Sequence, residues 1–326
     1  MASSLKNGPA GNSAGKSAPI DRRIIILIVL VVGVAGFYGY QAWQASVERD
    51  LVRSKLLLAT ASELEAETPN RDALSKLMAQ IRRLPDSSIS AELLAPQAEI
   101  ELIRGRADRA DELFGSIANS PDALPADLRL GSRILLAKHA DFGGDVVEAN
   151  TMLQQAQSMA EVAYGDSRDV KDLFRAWQAS VRLWDPRAAE FAGQLKANHS
   201  ESPESRLAQL NENFVADRDQ QIVADLLVDF STVPAELRAI KTIVTLQSGD
   251  VPSARKDAEQ HVIEAPGVPG VRLVAAVVLH ACAAGSAAES ADREVFVTRR
   301  NGHLDWLDKR APSDQEKTWG AMRQLR

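Results

Sequence analysis

An uncharged apolar run from Ile24 to Tyr40, IIILIVLVVGVAGFYGY, constrains this 326-residue chain more than any other feature. Extended through its flank to Trp43 it reaches about 20 residues. At about 1.5 Å per residue, a helix of that length spans the ~30 Å hydrocarbon core of a bilayer. Tyr38, Tyr40 and Trp43 gather at its C-terminal end, where amphipathic rings favour the membrane interface, and Arg22 and Arg23 mark the other end. The run predicts a transmembrane anchor over 24–43. A cleaved signal peptide is the competing reading. Both the run and its polar leader are long for one, and bulky Trp43 and Gln44 lie between Ala42 and Ala45, where a small-residue cleavage site would fall.

Charge sets the direction of insertion. Lys6, Lys16, Arg22 and Arg23 against Asp21 give residues 1–23 a charge of +3; with the whole chain at -6, the remainder carries -9. The positive flank predicts a cytoplasmic N-terminus and an exported body, periplasmic in a Gram-negative cell. The leader 1–23 is rich in Ser, Gly, Ala and Asn with few apolar anchors, a composition that predicts disorder. The acidic body argues against nucleic-acid binding, which needs a basic footprint. The lone cysteine, Cys282, lies in an apolar helical run and reads as a buried inert thiol.

Beyond the anchor the chain reads as all-α. Helix formers are abundant, only 5% of residues are aromatic, and period-two alternation is hard to find. No Pro or Gly interrupts Trp43–Ala66, so the anchor helix continues and projects the body from the bilayer. About six helical hairpins follow over 44–266, and 267–326 forms a helical cap.

The clearest hairpin lies between Leu93 and Pro121. Ala98 is small where two helices must approach. Gly105 supplies a left-handed turn residue at little cost. Ala110 is the small contact residue of the second helix, and Phe114, four residues on, plugs the gap on the same face. Similar positions recur at Ala137, Gly144 and Ala149, and at Gly249 and Ala254. This order resembles the tetratricopeptide repeat, a unit of about 34 residues. Glu101 departs from it, standing where that family carries an aromatic, and Pro121 falls one residue early.

The layout from Gly33 through Trp43, the helix Ala45–Ala66 and the hairpins Leu94–Ala156 resembles the ancillary tetratricopeptide-bearing subunit of the bacterial Sec translocon. That resemblance covers roughly the first half of the chain. It implies contact with a translocon or with chaperones that handle newly exported proteins.

Stacked hairpins build a groove lined by successive first helices, suited to extended or helical peptides. Helical phase places Gln97, Glu101, Arg104, Arg133, Lys138, Lys171, Arg175 and Gln178 on that face. Gly33, Gly36 and Gly39, spaced by three, give the anchor a small-residue face for packing on another helix. Trp306 and Trp319 among basic residues of the C-terminal segment read as a cap or as a basic-aromatic arm.

The five histidines show no HExxH, HxH or HxxxH spacing, and no CxxC or G-x-G-x-x-G motif is present. No catalytic residue, metal, cofactor or small-molecule substrate is expected. The expected function is a membrane-anchored scaffold or chaperone-like adaptor that binds other proteins. Its alternatives are a dedicated accessory subunit of one large membrane complex and, more weakly, an exported cell-wall-related enzyme.

Overall fold

The computed structural model describes residues 22–64, 70–81, 83–84, 91–118, 125–212, 220–286 and 290–310, without the side chains of 22–40, 71, 91–93, 118, 125 and 212. The leader 1–21, Pro85, Pro121, Phe214, Asp217 and the tail with Lys317, Trp319, Arg323 and Arg326 lie outside the described residues. Among the described residues there are fourteen helices and no strand. The chain divides into two units, Met1–Lys55 and Leu56–Arg326.

Helix α1 (Arg22–Leu64) is continuous, as the lack of helix breakers after Gly39 predicts. Gly33, Gly36 and Gly39 lie on its helical backbone, and their surroundings fall outside the described side chains. Among the described residues no helix is long and apolar enough to cross a membrane. The run Ile24–Tyr40 precedes the first described side chain.

The second unit is a tandem array of helix pairs. After α2 (Arg71–Ile81) come α3 (Ala91–Ile103) with α4 (Ala107–Ala118), α5 (Pro125–Asp141) with α6 (Val146–Ser167), and α7 (Val170–Leu183) with α8 (Arg187–Asn198). Then follow α9 (Pro203–Glu212) with α10 (Gln220–Asp229) and α11 (Ala235–Gln247) with α12 (Val251–Glu264). The region expected as a cap supplies one pair more, α13 (Pro269–Gly285) with α14 (Ala291–Arg310). Each first helix also touches the next first helix, from α3 on α5 through to α11 on α13. That is the stacking of a helical solenoid.

The turns are written in polar residues and glycine. Asp145, Asp169 and Asp250 cap α6, α7 and α12 by accepting hydrogen bonds from Val147 N, Lys171 N and Ser253 N at 2.6, 2.9 and 3.1 Å. Gly105 and Gly249 end α3 and α11 with φ of +75° and +87°, where a side chain would be strained. Gly144 lies in the α5–α6 turn beside the Phe142 ring.

The expected packing residues occupy the interior. Ala98, Ala110 and Phe114 are buried in one cluster with Ile117, Leu130 and Ile134. Phe114 presses on Gly131 of α5, where an added Cβ would stand 2.5 Å from the ring. Ala149 and Ala254 are fully buried and Ala137 is half-buried. The largest cluster joins α6 to α11 around Trp177, whose ring stacks on Phe174 at 5.1 Å. Cys282 is buried in the α11–α13 cluster, and burial pushes its thiol up.

One contact ties the late helices to the early ones. The Gly267 N–H, in the α12–α13 turn, donates to Ala140 O at the end of α5, at 2.9 Å. A Cβ on Gly267 would stand 1.9 Å from His139 O. Arg310, at the end of α14, donates to Gly267 O at 3.1 Å, and its guanidinium meets His139 Nε2 at 3.1 Å. Its other face stacks on Trp306 at 4.3 Å. Arg300 and Arg310 are buried. The described part of the basic-aromatic segment is thus a packed helix and not a free arm.

His139 is fully buried, and burial, helped by the charges of Arg182 and Arg310, pushes its imidazole down from 6.5 to about 2. The unfolded chain takes up this proton near pH 6.5, the folded chain only near 2. Stability from His139 is therefore complete above pH 6.5 and falls as the pH drops, by about 1.4 kcal/mol per unit. Urea unfolding at pH 7 and pH 5 should show this loss, and His139→Gln should reduce the slope by one proton.

Candidate functional site

Helices α3, α5, α7 and α11 present polar residues to one another along the first-helix side of the array. The sequence dictates this locally. Arg129 and Arg133 are one turn apart on α5, and Asp172, Arg175 and Arg182 recur at helical spacing on α7. Each side chain then meets its complement on the neighbouring first helix.

Arg133 pairs with Glu99 of α3 at 2.8 Å. Arg129 reaches Asp172 of α7 at 3.1 Å. Asp172 is fully buried, and its carboxylate also accepts from Arg175 at 2.6 Å and from the Ser167 hydroxyl at 2.7 Å. Such a buried carboxylate is tolerable only because its oxygens are this well occupied. Burial, with the like charge of Arg133, pulls the Arg175 guanidinium down to about 10, so it stays charged at neutral pH.

At the far end of α7, Gln178 and Arg182 converge on Glu236 of α11 at 3.0 and 2.7 Å. Arg182 also donates to Leu136 O of α5 at 3.1 Å. Burial alone would raise the Glu236 carboxyl. The charge and hydrogen bond of Arg182, with the bond from Gln178, outweigh it and hold the carboxyl below its usual range.

The residues proposed from helical phase divide accordingly. Arg133, Arg175 and Gln178 belong to this ladder, and Lys171 is exposed beside it at the start of α7. Lys138 turns the other way and pairs with Asp111 of α4. Gln97 and Glu101 are buried. Glu101 holds the α3–α4 turn, pairing with Arg106 at 2.6 Å and Arg104 at 3.7 Å, while its carbonyl accepts from Arg106 N. Glu101 thus ties down its own turn instead of facing a groove.

Sequence reasoning missed Glu99, Arg129, Asp172, Arg182 and Glu236. The stripe on α7 was findable from spacing. Glu236 was not, because its partners lie 54 and 58 residues away.

Each carboxylate of the ladder is engaged by a guanidinium, so none is poised as a base. Among the described residues no group of three or more His, Cys, Asp or Glu could hold a metal. Around Asp172, three guanidiniums (Arg129, Arg133 and Arg175) meet the carboxylates of Asp172 and Glu99, and the charge of Asp169 acts on Arg175 as well. The guanidiniums of Arg129 and Arg133 remain half-exposed there.

No family model matches the sequence, and no curated protein matches it. Among solved structures, a human IFIT1 dimer with PPP-AAAA superposes at a TM-score of 0.38 and 10% identity, over 73% of this chain and 55% of that chain. The matched region spans about half the length of that protein, and a likeness at this score carries no argument.

Removing one partner of the buried pair is predicted to cost far more than removing both. Arg182→Leu leaves the Glu236 carboxylate buried without its cation and should cost about 3–5 kcal/mol in urea unfolding. The double variant Arg182→Leu/Glu236→Leu should recover most of that loss.

Proposed function

We propose that this chain is a membrane-tethered helical-repeat scaffold whose first-helix face receives acidic segments of other proteins on the exported side of the membrane. The observation that carries the reading is the ion-pair ladder across α3, α5 and α7. It joins successive helix pairs into one surface and leaves the guanidiniums of Arg129 and Arg133 half-exposed there. Lys171 adds an exposed cation at its edge. An acidic peptide segment laid across these helices would pair with Lys171 and share the half-exposed guanidiniums of Arg129 and Arg133.

The tether rests on the apolar run Ile24–Tyr40 and on the positive leader before it. The tetratricopeptide-like reading of the hairpins rests on Ala98, Gly105, Ala110 and Phe114 acting as that repeat uses them. The partners that suit this layout are newly exported polypeptides or the membrane complex that delivers them. A dedicated place in one complex is the second reading, and the three-residue spacing of Gly33, Gly36 and Gly39 favours it.

Native membranes test both halves of the reading. The full chain should stay with the membrane through an alkaline wash, and a chain lacking residues 1–43 should be released. A photo-reactive residue in place of Lys171 should crosslink to partner proteins, with a yield that falls as salt rises. The same probe in place of Lys196 or Lys256, exposed on α8 and α12, should not. Release of the full chain by the wash would remove the tether. Equal crosslinking from all three positions would remove the ladder as the binding face.

A further inference from the structure

Helices α12, α13 and α14 line an open cleft of about 470 Å³, within the ~300–1,000 Å³ range of small-molecule sites. Its floor is apolar: Ala258 and Val262 of α12 with Ala275, Val278 and Leu279 of α13. Its rim is basic. Arg255, Arg272 and Arg299 line it against a single carboxylate, Glu259. Glu259 is engaged by Arg299 at 2.8 Å, so three guanidiniums against one carboxylate leave two cations unneutralised.

The two differ in setting. Arg255 is exposed, stacks over Phe296 at 5.7 Å, and has no carboxylate partner among the described residues. Arg272 is half-buried at the α12–α13 turn end of the cavity. Its Nε donates to Pro266 O at 2.9 Å, its Nη1 lies 3.3 Å from His303 Nδ1, and its guanidinium stacks on Trp306 at 4.9 Å. It too has no carboxylate partner among the described residues. Those contacts fix the cation in place and leave its charge uncompensated beside an apolar trough. His303 adds no charge at neutral pH, since burial and the charges of Arg272 and Arg299 push its imidazole down to about 4.

We propose that this cavity binds one single-chain amphiphilic anion, its head on Arg272 and its aliphatic tail along the Val262–Ala275–Leu279 floor towards Arg255. Charge complementarity selects the anion, because a half-buried cation gains most from an opposite charge brought to it. The apolar floor selects an alkyl chain. A wholly polar anion would leave that floor unfilled, and a neutral lipid would leave Arg272 unpaired.

Gly302 of α14 lines the same cavity, and a Cβ added there meets nothing within 4 Å. Gly302→Phe therefore fills the ligand space while replacing a mid-helix glycine, a change the fold tolerates. The test is equilibrium binding of radiolabelled dodecanoate to the full chain in phosphatidylcholine nanodiscs, measured against empty nanodiscs. We expect saturable binding of one dodecanoate per chain. Gly302→Phe should weaken it at least tenfold with an unchanged or raised thermal midpoint. Arg272→Gln should weaken it at least tenfold, and Arg255→Gln by less. Dodecanol should bind at least tenfold more weakly than dodecanoate, and inorganic phosphate should not compete.

Absence of saturable binding, equal binding of dodecanol, or full binding by Gly302→Phe would overturn the proposal. Replacing phosphatidylcholine by phosphatidylglycerol separates a free amphiphile from a bilayer headgroup. Unchanged occupancy supports the free ligand, and displacement by the anionic bilayer overturns it. Displacement of labelled dodecanoate by an acidic helical peptide at concentrations at least tenfold below those at which unlabelled dodecanoate competes would assign the cavity to a protein and overturn it equally. None of these outcomes bears on crosslinking at Lys171, so the scaffold reading stands or falls separately.

Discussion

The backbone of the α12–α13 turn lies directly against the C-terminal end of α5, and Gly267 is the residue that allows it. The last carbonyls of a helix have no partner within it and must find one elsewhere or stay wet. Here Ala140 O accepts from Gly267 N, and Leu136 O, one turn further in, takes an additional bond from Arg182 of α7. Arg310 closes over the same place, bridging the Gly267 carbonyl and the His139 ring. Three segments far apart in sequence therefore meet at one helix end. The closure has a cost: Nδ1 of His139 and Nε and Nη2 of Arg310 are buried without a hydrogen-bond partner among the described residues. Each such group costs about 1–3 kcal/mol. The burial of Val268, Val271 and Val274 beside the turn offsets it.

Both surfaces with a proposed role depend on that junction. Arg182 is shared between the α5 end and Glu236, so fixing the junction also fixes the spacing of α5, α7 and α11. The ladder of Glu99, Arg133, Arg129, Asp172 and Arg175 is then held in register before any partner arrives, which lowers the ordering cost of binding. On the other side, Arg272 donates to Pro266 O, one residue before Gly267, and shares the Trp306 ring with Arg310. The turn that meets α5 thus also sets the head end of the α12–α14 cavity. One backbone crossing positions both the ladder proposed to receive a protein and the cleft proposed to receive an amphiphile.

What the sequence revealed was mostly local. The unbroken α1, the all-helical class and the aspartate and glycine turns follow from propensity and capping, which act over a few residues. Ala98, Ala110 and Phe114 were legible because a hairpin repeats a fixed pattern of small and aromatic positions. Lys138 and Glu101 were not placed correctly by phase alone. Which neighbour a long polar side chain reaches depends on where that neighbour's complement stands, and Asp111 and Arg106 decided it. The extra pair α13–α14 looked like a cap because its apolar run lacks a polar face. The run is buried on several sides, against α11, α12 and α14. Gly267 gave no signal at all. A glycine in a Pro-Gly turn is ordinary, and its special demand comes from a carbonyl more than a hundred residues earlier.

Hydrogen exchange of the full chain, wild type against Gly267→Ala, tests the junction most directly. The account predicts that amides of 135–142 and 265–275 open together in one slow step in the wild type. In the variant both stretches should lose protection while 107–117 keeps its own. If Gly267→Ala changes only its own turn and leaves 135–142 as protected as before, the end of α5 does not depend on this crossing and the account is wrong at its centre.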